Sequence, residues 1–351
     1  MKVATAGGAP APRVHVVMRH GARSASEGAL RPFASSALAA AWSDVELERV
    51  SALGLAQCRA VGRHLVSAGG TLSAAARGGV RWHSSKVERV VESGRAFVEG
   101  AAEGGGVSRE QASALLREGP AALSRGGLAC DQDVFYRSYL ADKEYVAAAR
   151  RLRGGELFRA KAQQEQAVLS ALRPAPSAAP GSAQQLDATT YVEELLECER
   201  FWQVTPPKRA LRDANDAHLL HAAGRLARWC WDQRFFQLPE ARRLGAPLLE
   251  LIEADLFGAE RHAPQLVLHS AHDYTIMALL AALGVEAYPP ETLGFASYLV
   301  LTAQGVVLNA CPFPDPDLRV RADHETALQW PPLDDTRAER SALQRRTRDE
   351  H

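Results

Sequence analysis

The chain has 351 residues, 46% of them hydrophobic, and carries 41 Lys+Arg against 41 Asp+Glu. That length supports a sizeable core, as one large domain or as one domain with a big insertion, and the balanced charge without a basic tract argues against a nucleic-acid or anionic-membrane partner. No apolar run reaches transmembrane or signal-peptide length, and five cysteines without a CxxC pair imply neither a zinc site nor a disulfide scaffold. A cytoplasmic home is therefore expected, with a secreted or lysosomal one as the alternative if the N-terminus is incomplete.

The first element is the apolar run Val14 to Met18, which suits a buried strand and leads straight into Arg19-His20-Gly21-Ala22-Arg23. Leu55, Cys58, Val61 and Leu65 then recur at helical spacing up to the Gly69-Gly70 stop. A short strand around Val80-Arg81-Trp82 passes through Ser84-Ser85 into a helix carrying Arg89 and Phe97. The middle is Ala-, Leu- and Arg-rich, with helical stretches at 144–152, 163–172 and 218–236 and a loop-like segment from Arg173 to Ser182. Near the other end the strand-loop-helix grammar returns: Leu266 to His269, then Ser270-Ala271-His272-Asp273, then a helix from Thr275 to Leu283 and strands at 297–301 and 306–309.

Units of this kind at both ends predict one α/β sheet assembled from the two ends of the chain. The expected domains are an α/β core at 13–100 and 263–330, a mainly helical cap inserted at 101–262, and a charged tail at 331–351. His20, just past the carboxyl end of a strand, stands where open α/β sheets place their ligands. Two flanking guanidinium groups lower an imidazole's pKa, so His20 is expected to be neutral with a lone pair available, beside bidentate donors suited to an oxyanion. A neutral nucleophile in such a cradle is what phosphoryl transfer to histidine requires.

These residues resemble the histidine phosphatase superfamily, in its acid-phosphatase branch. Arg19-His20-Gly21-Ala22-Arg23 fits the RHGxR signature, with Ala22 where the phosphoglycerate-mutase branch usually has Glu. Leu53-Gly54 with Gln57 and Gly62 is similar to the family's first helix, and Ser84 to Arg89 with Ser93 is similar to the segment bearing a further phosphate-binding arginine. Glu197-Cys198-Glu199-Arg200 before Pro206-Pro207 resembles a cap motif, and Ser270 to Ile276 the His-Asp motif. The resemblance implies a phosphoglycerate-mutase-like sheet core flanked by helices, with an inserted helical cap. It implies a phosphomonoester hydrolase of small-molecule substrates working through phosphohistidine, with no cofactor and no metal. His20 would be the nucleophile and Asp273 the acid; Arg19, Arg23, Arg89 and His272 would bind phosphate. Gly21 would let the backbone approach the phosphate closely.

Two alternatives stand beside this reading. One is an inositol-phosphate or phytase-like hydrolase of the same branch, marked by more cap arginines facing His20; the candidates are Arg117, Arg125, Arg137, Arg150, Arg151 and Arg153. The other is a non-catalytic relative that only binds phosphorylated ligands. Asp273 before a helix also reads as an N-cap. The chain departs from the family at Ser24-Ala25-Ser26, where a proline is common, at Tyr274, where a small or β-branched residue is commoner, and at Thr302, where an acidic one is frequent. His15 reads as a core histidine and His269 as a structural hydrogen-bonder. His218 and His221 read as an ordinary helix face, and Trp229, Trp231, Phe235 and Phe236 as the core of the cap.

Overall fold

The computed structural model describes residues 13–31, 42, 46–67, 72–125, 128–129, 135–172, 179, 181–201, 214–257, 265–289, 293–310, 312–313, 320 and 325–328. The expected tail, Pro206-Pro207, most of the Arg173–Ser182 loop, Cys130, Cys311 and the side chains of Arg125, Glu199 and Arg200 lie outside the described residues. In chain order the elements begin with β1 (Val14–Arg19), α1 (Glu27–Leu30), α2 (Ala52–Val66), α3 (Ser73–Arg77), β2 (Val80–Ser84), α4 (Glu88–Glu103) and α5 (Arg109–Glu118). A small hairpin, β3 (Ser124–Arg125) with β4 (Leu128–Ala129), precedes a run of helices: α6 (Ser138–Ala141), α7 (Lys143–Gly154), α8 (Glu156–Gln164), α9 (Gln166–Leu172), α10 (Ala183–Phe201), α11 (Ala214–Phe235) and α12 (Arg242–Phe257). The chain then returns through β5 (Leu266–Ala271), α13 (Asp273–Ala282), β6 (Tyr298–Thr302), β7 (Gly305–Asn309) and β8 (Glu325–Leu328).

The sheet order is β2-β5-β1-β6-β7-β8. Strand β5 lies parallel to both β1 and β2, whereas β6, β7 and β8 join antiparallel. The sheet is thus built from both ends of the sequence, and β1 and β5 run side by side with Arg19 opposite Ala271. Alternation along β1 sorts its side chains onto two faces. Val14, Val16 and Met18 join the cluster formed with α2 and α4, while Val17 joins that formed with α12 and α13. Among the described residues no helix is long and apolar enough to cross a membrane.

The middle of the chain differs from expectation in detail. The 163–172 helix is two helices broken near Glu165. Helix α12 contains Pro247. Trp231 is not simply core: it lies against Tyr274 with ring centroids 5.3 Å apart, and it lines the cleft described below. His218 and His221 are exposed on α11.

His15 and His269 form a buried chain across the sheet. Asp255 accepts from Nε2 of His15 at 3.0 Å, His15 Nδ1 meets His269 Nε2 at 3.0 Å, and His269 Nδ1 meets the Tyr136 hydroxyl at 3.0 Å. A carboxylate only accepts, so each proton follows in turn: His15 donates to Asp255, His269 to His15, and Tyr136 to His269. Burial, aided by Arg13, which pairs with the same Asp255, brings the His15 pKa down to about 3. Burial likewise holds His269 and His83 below the usual range.

These histidines stay neutral in the fold but take up protons near pH 6.5 once unfolded. Stability is therefore whole above that pH and falls as pH is lowered from 6.5 toward 3, by up to about 1.4 kcal/mol per pH unit per histidine. Urea unfolding across this window is expected to show that slope, shallower by about one proton in His15→Gln. An unchanged slope in the variant would exclude His15 as a contributor.

Candidate active site

Strands β1 and β5 end side by side, and the loop at the end of β2 feeds α4. These three junctions deliver all six residues singled out by sequence: Arg19, His20, Arg23, Arg89, His272 and Asp273 line one cleft. His20 is held on both sides of its backbone, its N–H donating to Ala271 O at 3.1 Å and its carbonyl accepting from Ala296 N at 3.1 Å. Its ring is 5.8 Å from that of His272, edge-on.

Nδ1 of His20 lies 2.9 Å from Gly21 O. A carbonyl can only accept, so the proton belongs to Nδ1 and the lone pair to Nε2. The pKa of His20 lies well below the usual value, chiefly through burial, with Arg89, Arg23, Arg19 and His272 adding to it. Neutrality was expected from the arginines alone; desolvation is the larger cause. His272 is likewise held neutral by burial, then by Arg89 and Arg137, and shares a 3.1 Å hydrogen bond with the Ser85 hydroxyl.

Each buried guanidinium has carboxylate company. Arg19 reaches both oxygens of Glu197 at 3.1 and 3.0 Å, Asp273 at 3.1 Å, and the Leu293 carbonyl. Arg23 pairs with Glu194 at 2.8 Å and Arg89 with Glu48 at 2.8 Å. Burial opposes charge on Arg19 and Arg23, but these carboxylates outweigh it and hold both firmly protonated. The Arg19 guanidinium also sits 4.4 Å above the Phe295 ring, a cation–π contact. Glu194 further accepts from the Ser26 hydroxyl at 2.6 Å, and Glu197 from Phe295 N–H at 2.9 Å.

The loop after β1 is braced by residues from α2 and α4. Gly21 N–H donates to Ser93 Oγ at 3.1 Å and Ala22 N–H to Gln57 Oε1 at 3.0 Å. Ser51 caps α2 through Gly54 N–H and donates to Ala22 O, both at 3.0 Å. Gly21 is required by packing: a Cβ there would lie 2.1 Å from Gly54 O, inside the contact with α2. Gly54 in turn would place a Cβ 2.1 Å from Ala22 O. The two backbones touch because neither carries a side chain.

Sequence reasoning missed the roles of Glu194 and Glu197 as counter-charges. Their spacing of three on α10 was the available signal, since it puts both on one helix face. Of the arginines named from the middle of the chain, Arg137 lines the cleft; Tyr139, Tyr191, Trp231, Tyr274 and Tyr288 join it there. The N-cap of α13 is His272, and Asp273 is the first helical residue, its Oδ1 accepting from Tyr274 N–H at 2.8 Å. The cleft thus opens at a helix N-terminus, which favours a bound anion.

The model of the histidine phosphatase superfamily (branch 2) matches residues 12–299. Comparison with curated protein sequences finds no match. Among solved structures, the chain is similar to Hafnia alvei phytase in complex with tartrate, with a TM-score of 0.62 and 15% identity over 94% of this chain and 93% of that one. It is also similar to Klebsiella sp ASR1 phytase, with a TM-score of 0.60 and 15% identity over 92% and 90%. A third likeness is to Citrobacter braakii phytase, at 0.57 and 16% over 86% and 85%. At such identity these likenesses establish the fold.

Glu197→Gln keeps an acceptor for Arg19 and Phe295 but removes the charge. It is expected to lower the unfolding free energy by about 1.5–3 kcal/mol. Inorganic phosphate, which returns negative charge to Arg19, is expected to raise the Tm of the variant more than that of the parent. Thermal melts with and without phosphate check this, and equal shifts would show that Arg19 takes no part in holding the anion.

Proposed function

Because the chain belongs to the histidine phosphatase superfamily (branch 2) over residues 12–299, we propose that it is an acid-phosphatase-type phosphomonoester hydrolase in which Nε2 of His20 attacks phosphorus. The observation that carries this reading is the His20–Gly21 hydrogen bond, which leaves the Nε2 lone pair in a cleft lined by Arg19, Arg23, Arg89 and His272.

In the first step the Nε2–P bond forms, the P–O bond to the leaving group breaks, and Asp273 gives that oxygen a proton. The arginines and His272 hold the phosphoryl oxygens while charge spreads over them. In the second step water attacks phosphorus, Asp273 takes its proton, and inorganic phosphate leaves with His20 restored. Arg19 touches Glu197, Asp273 and the expected phosphate position at once, so bound phosphate would draw it partly away from its carboxylates. We also read 13–100 with 263–330 as the catalytic core and 101–262 as a cap, since α10 and α11 send Glu194, Glu197 and Trp231 into the cleft; within that range α12 packs on the sheet beside Val17 and belongs with the core.

The alternative within the branch is hydrolysis of inositol phosphates, as in the phytases. Against it, Arg137 alone among the described side chains of the six candidate arginines lines the cleft. Arg150 and Arg151 are exposed, and Arg153 pairs with Asp187 at 2.9 Å. A single phosphate group on a small molecule is the better fit.

His20→Ala is expected to abolish turnover of every substrate. Asp273→Asn is expected to slow alkyl phosphates by two to three decades more than p-nitrophenyl phosphate, whose leaving group needs little protonation; each decade corresponds to about 1.4 kcal/mol of barrier. It should also accumulate acid-labile phosphohistidine on the aryl ester. A leaving-group series with a rapid quench measures both. Residual turnover in His20→Ala would remove the covalent mechanism, and equal losses across the series would leave Asp273 structural.

A further inference from the structure

Tyr274, which follows Asp273 directly, is one of the positions where the chain departs from its family. Its ring stacks on Tyr139 with centroids 4.4 Å apart at 27°, and meets Trp231 edge-on at 5.3 Å. The three rings come from α13, α6 and α11, so they form one wall out of three separate elements. All three are only partly buried and line the same cleft as His20.

The position of this wall relative to the chemistry is informative. In-line displacement puts the leaving group opposite Nε2 of His20, on the side of the group that protonates it. That group is Asp273, so whatever the phosphate is esterified to emerges beside Tyr274. The charge of the cleft points the same way. Its lining holds four arginines (Arg19, Arg23, Arg89 and Arg137) against three glutamates (Glu193, Glu194 and Glu197), with Asp273 carrying the proton it will donate. One phosphate dianion already tips this balance negative, and of the four arginines it leaves only Arg137, hydrogen-bonded to Tyr139, to meet a further phosphate on the same molecule.

We infer that the cleft selects monophosphate esters whose leaving group is a flat, uncharged aromatic ring, held by Tyr139, Trp231 and Tyr274. The inference rests on the phosphomonoesterase reading above. Offset or edge-on contact between rings supplies the preference, and a puckered saturated ring of equal size cannot reproduce it.

The test compares benzyl phosphate with cyclohexylmethyl phosphate on the full-length protein. Both are dianions that leave as primary alkoxides, and they differ in the planarity of the ring. The expected result is a kcat/KM about tenfold higher for benzyl phosphate, the ratio that about 1.4 kcal/mol represents. In Tyr274→Thr and in Tyr139→Leu that ratio should fall toward one, mainly through KM. Either variant suffices if the other does not fold, and the wild-type ratio stands without them. Equal kcat/KM values for the two esters in the wild type overturn the inference while leaving the phosphatase reading intact. So does a ratio that both variants preserve, or a higher kcat/KM for inositol hexakisphosphate than for benzyl phosphate. Failure to hydrolyse either ester, with no labelled phosphohistidine formed, overturns the phosphatase reading and the inference together.

Discussion

Three guanidinium groups cannot be gathered around one buried imidazole without negative charge to hold them there. Arg19, Arg23 and Arg89 meet that requirement through Glu197 with Asp273, Glu194 and Glu48. Isolated, each buried cation would be strongly unfavourable; paired and hydrogen-bonded, it is tolerated and aimed. The carboxylates come from places far apart in the chain, including α10 in its middle. Docking α10 over the sheet and assembling the arginine cluster are therefore one event, and its donors are preset by the fold itself. Preset donors need little reorganisation as charge develops, which is where electrostatic catalysis gains most.

Strand β1 is the part on which both halves of the design converge. Its odd-numbered residues point to one face: His15 into the histidine chain, Val17 into the core, Arg19 into the cleft. The chain from Asp255 through His15 and His269 ends on Tyr136, whose carbonyl accepts from Thr275 Oγ1 at 2.7 Å in the first turn of α13. Tyr136 immediately precedes Arg137 of the cleft wall. A buried polar chain with every donor matched to one acceptor admits a single arrangement, so it fixes the heights of α13 and of the 135–137 segment against the sheet.

The two-ended sheet and the six cleft residues were legible because they rest on local signals. Apolar runs meet Gly, Ser or His-Asp at strand-to-helix junctions, and His20 sits between two arginines. What the sequence could not yield depends on long-range pairing. Glu194 and Glu197 look like any solvated helix face until α10 is docked on Arg23 and Arg19. Trp231 reads as core because an aromatic beside Phe235 on a helix usually is. The Gly21–Gly54 contact joins residues 33 apart that carry no side chain to betray it. The antiparallel arrival of β6 on β1 comes just after a turn at Phe295-Ala296, where Ala296 takes a positive φ of 58°, unusual for a residue with a Cβ.

Cys58, Cys198 and Cys230 are buried thiols placed in three different regions of this assembly. Cys58 lies under the loop after β1, near Ser93 and Gly21, Cys198 on α10 between the two glutamates' turns and the small core beside Phe295, and Cys230 among the α8, α9 and α11 side chains. Burial pushes the thiols of Cys58 and Cys198 up to about 12 and that of Cys230 higher still, so none offers appreciable thiolate at neutral pH while the fold is closed. Reaction with an alkylating reagent must wait for each neighbourhood to open. Among the described residues the protein thus carries three built-in gauges, one beneath His20 and two in the helical layer, that would tell whether these regions breathe separately or as one unit.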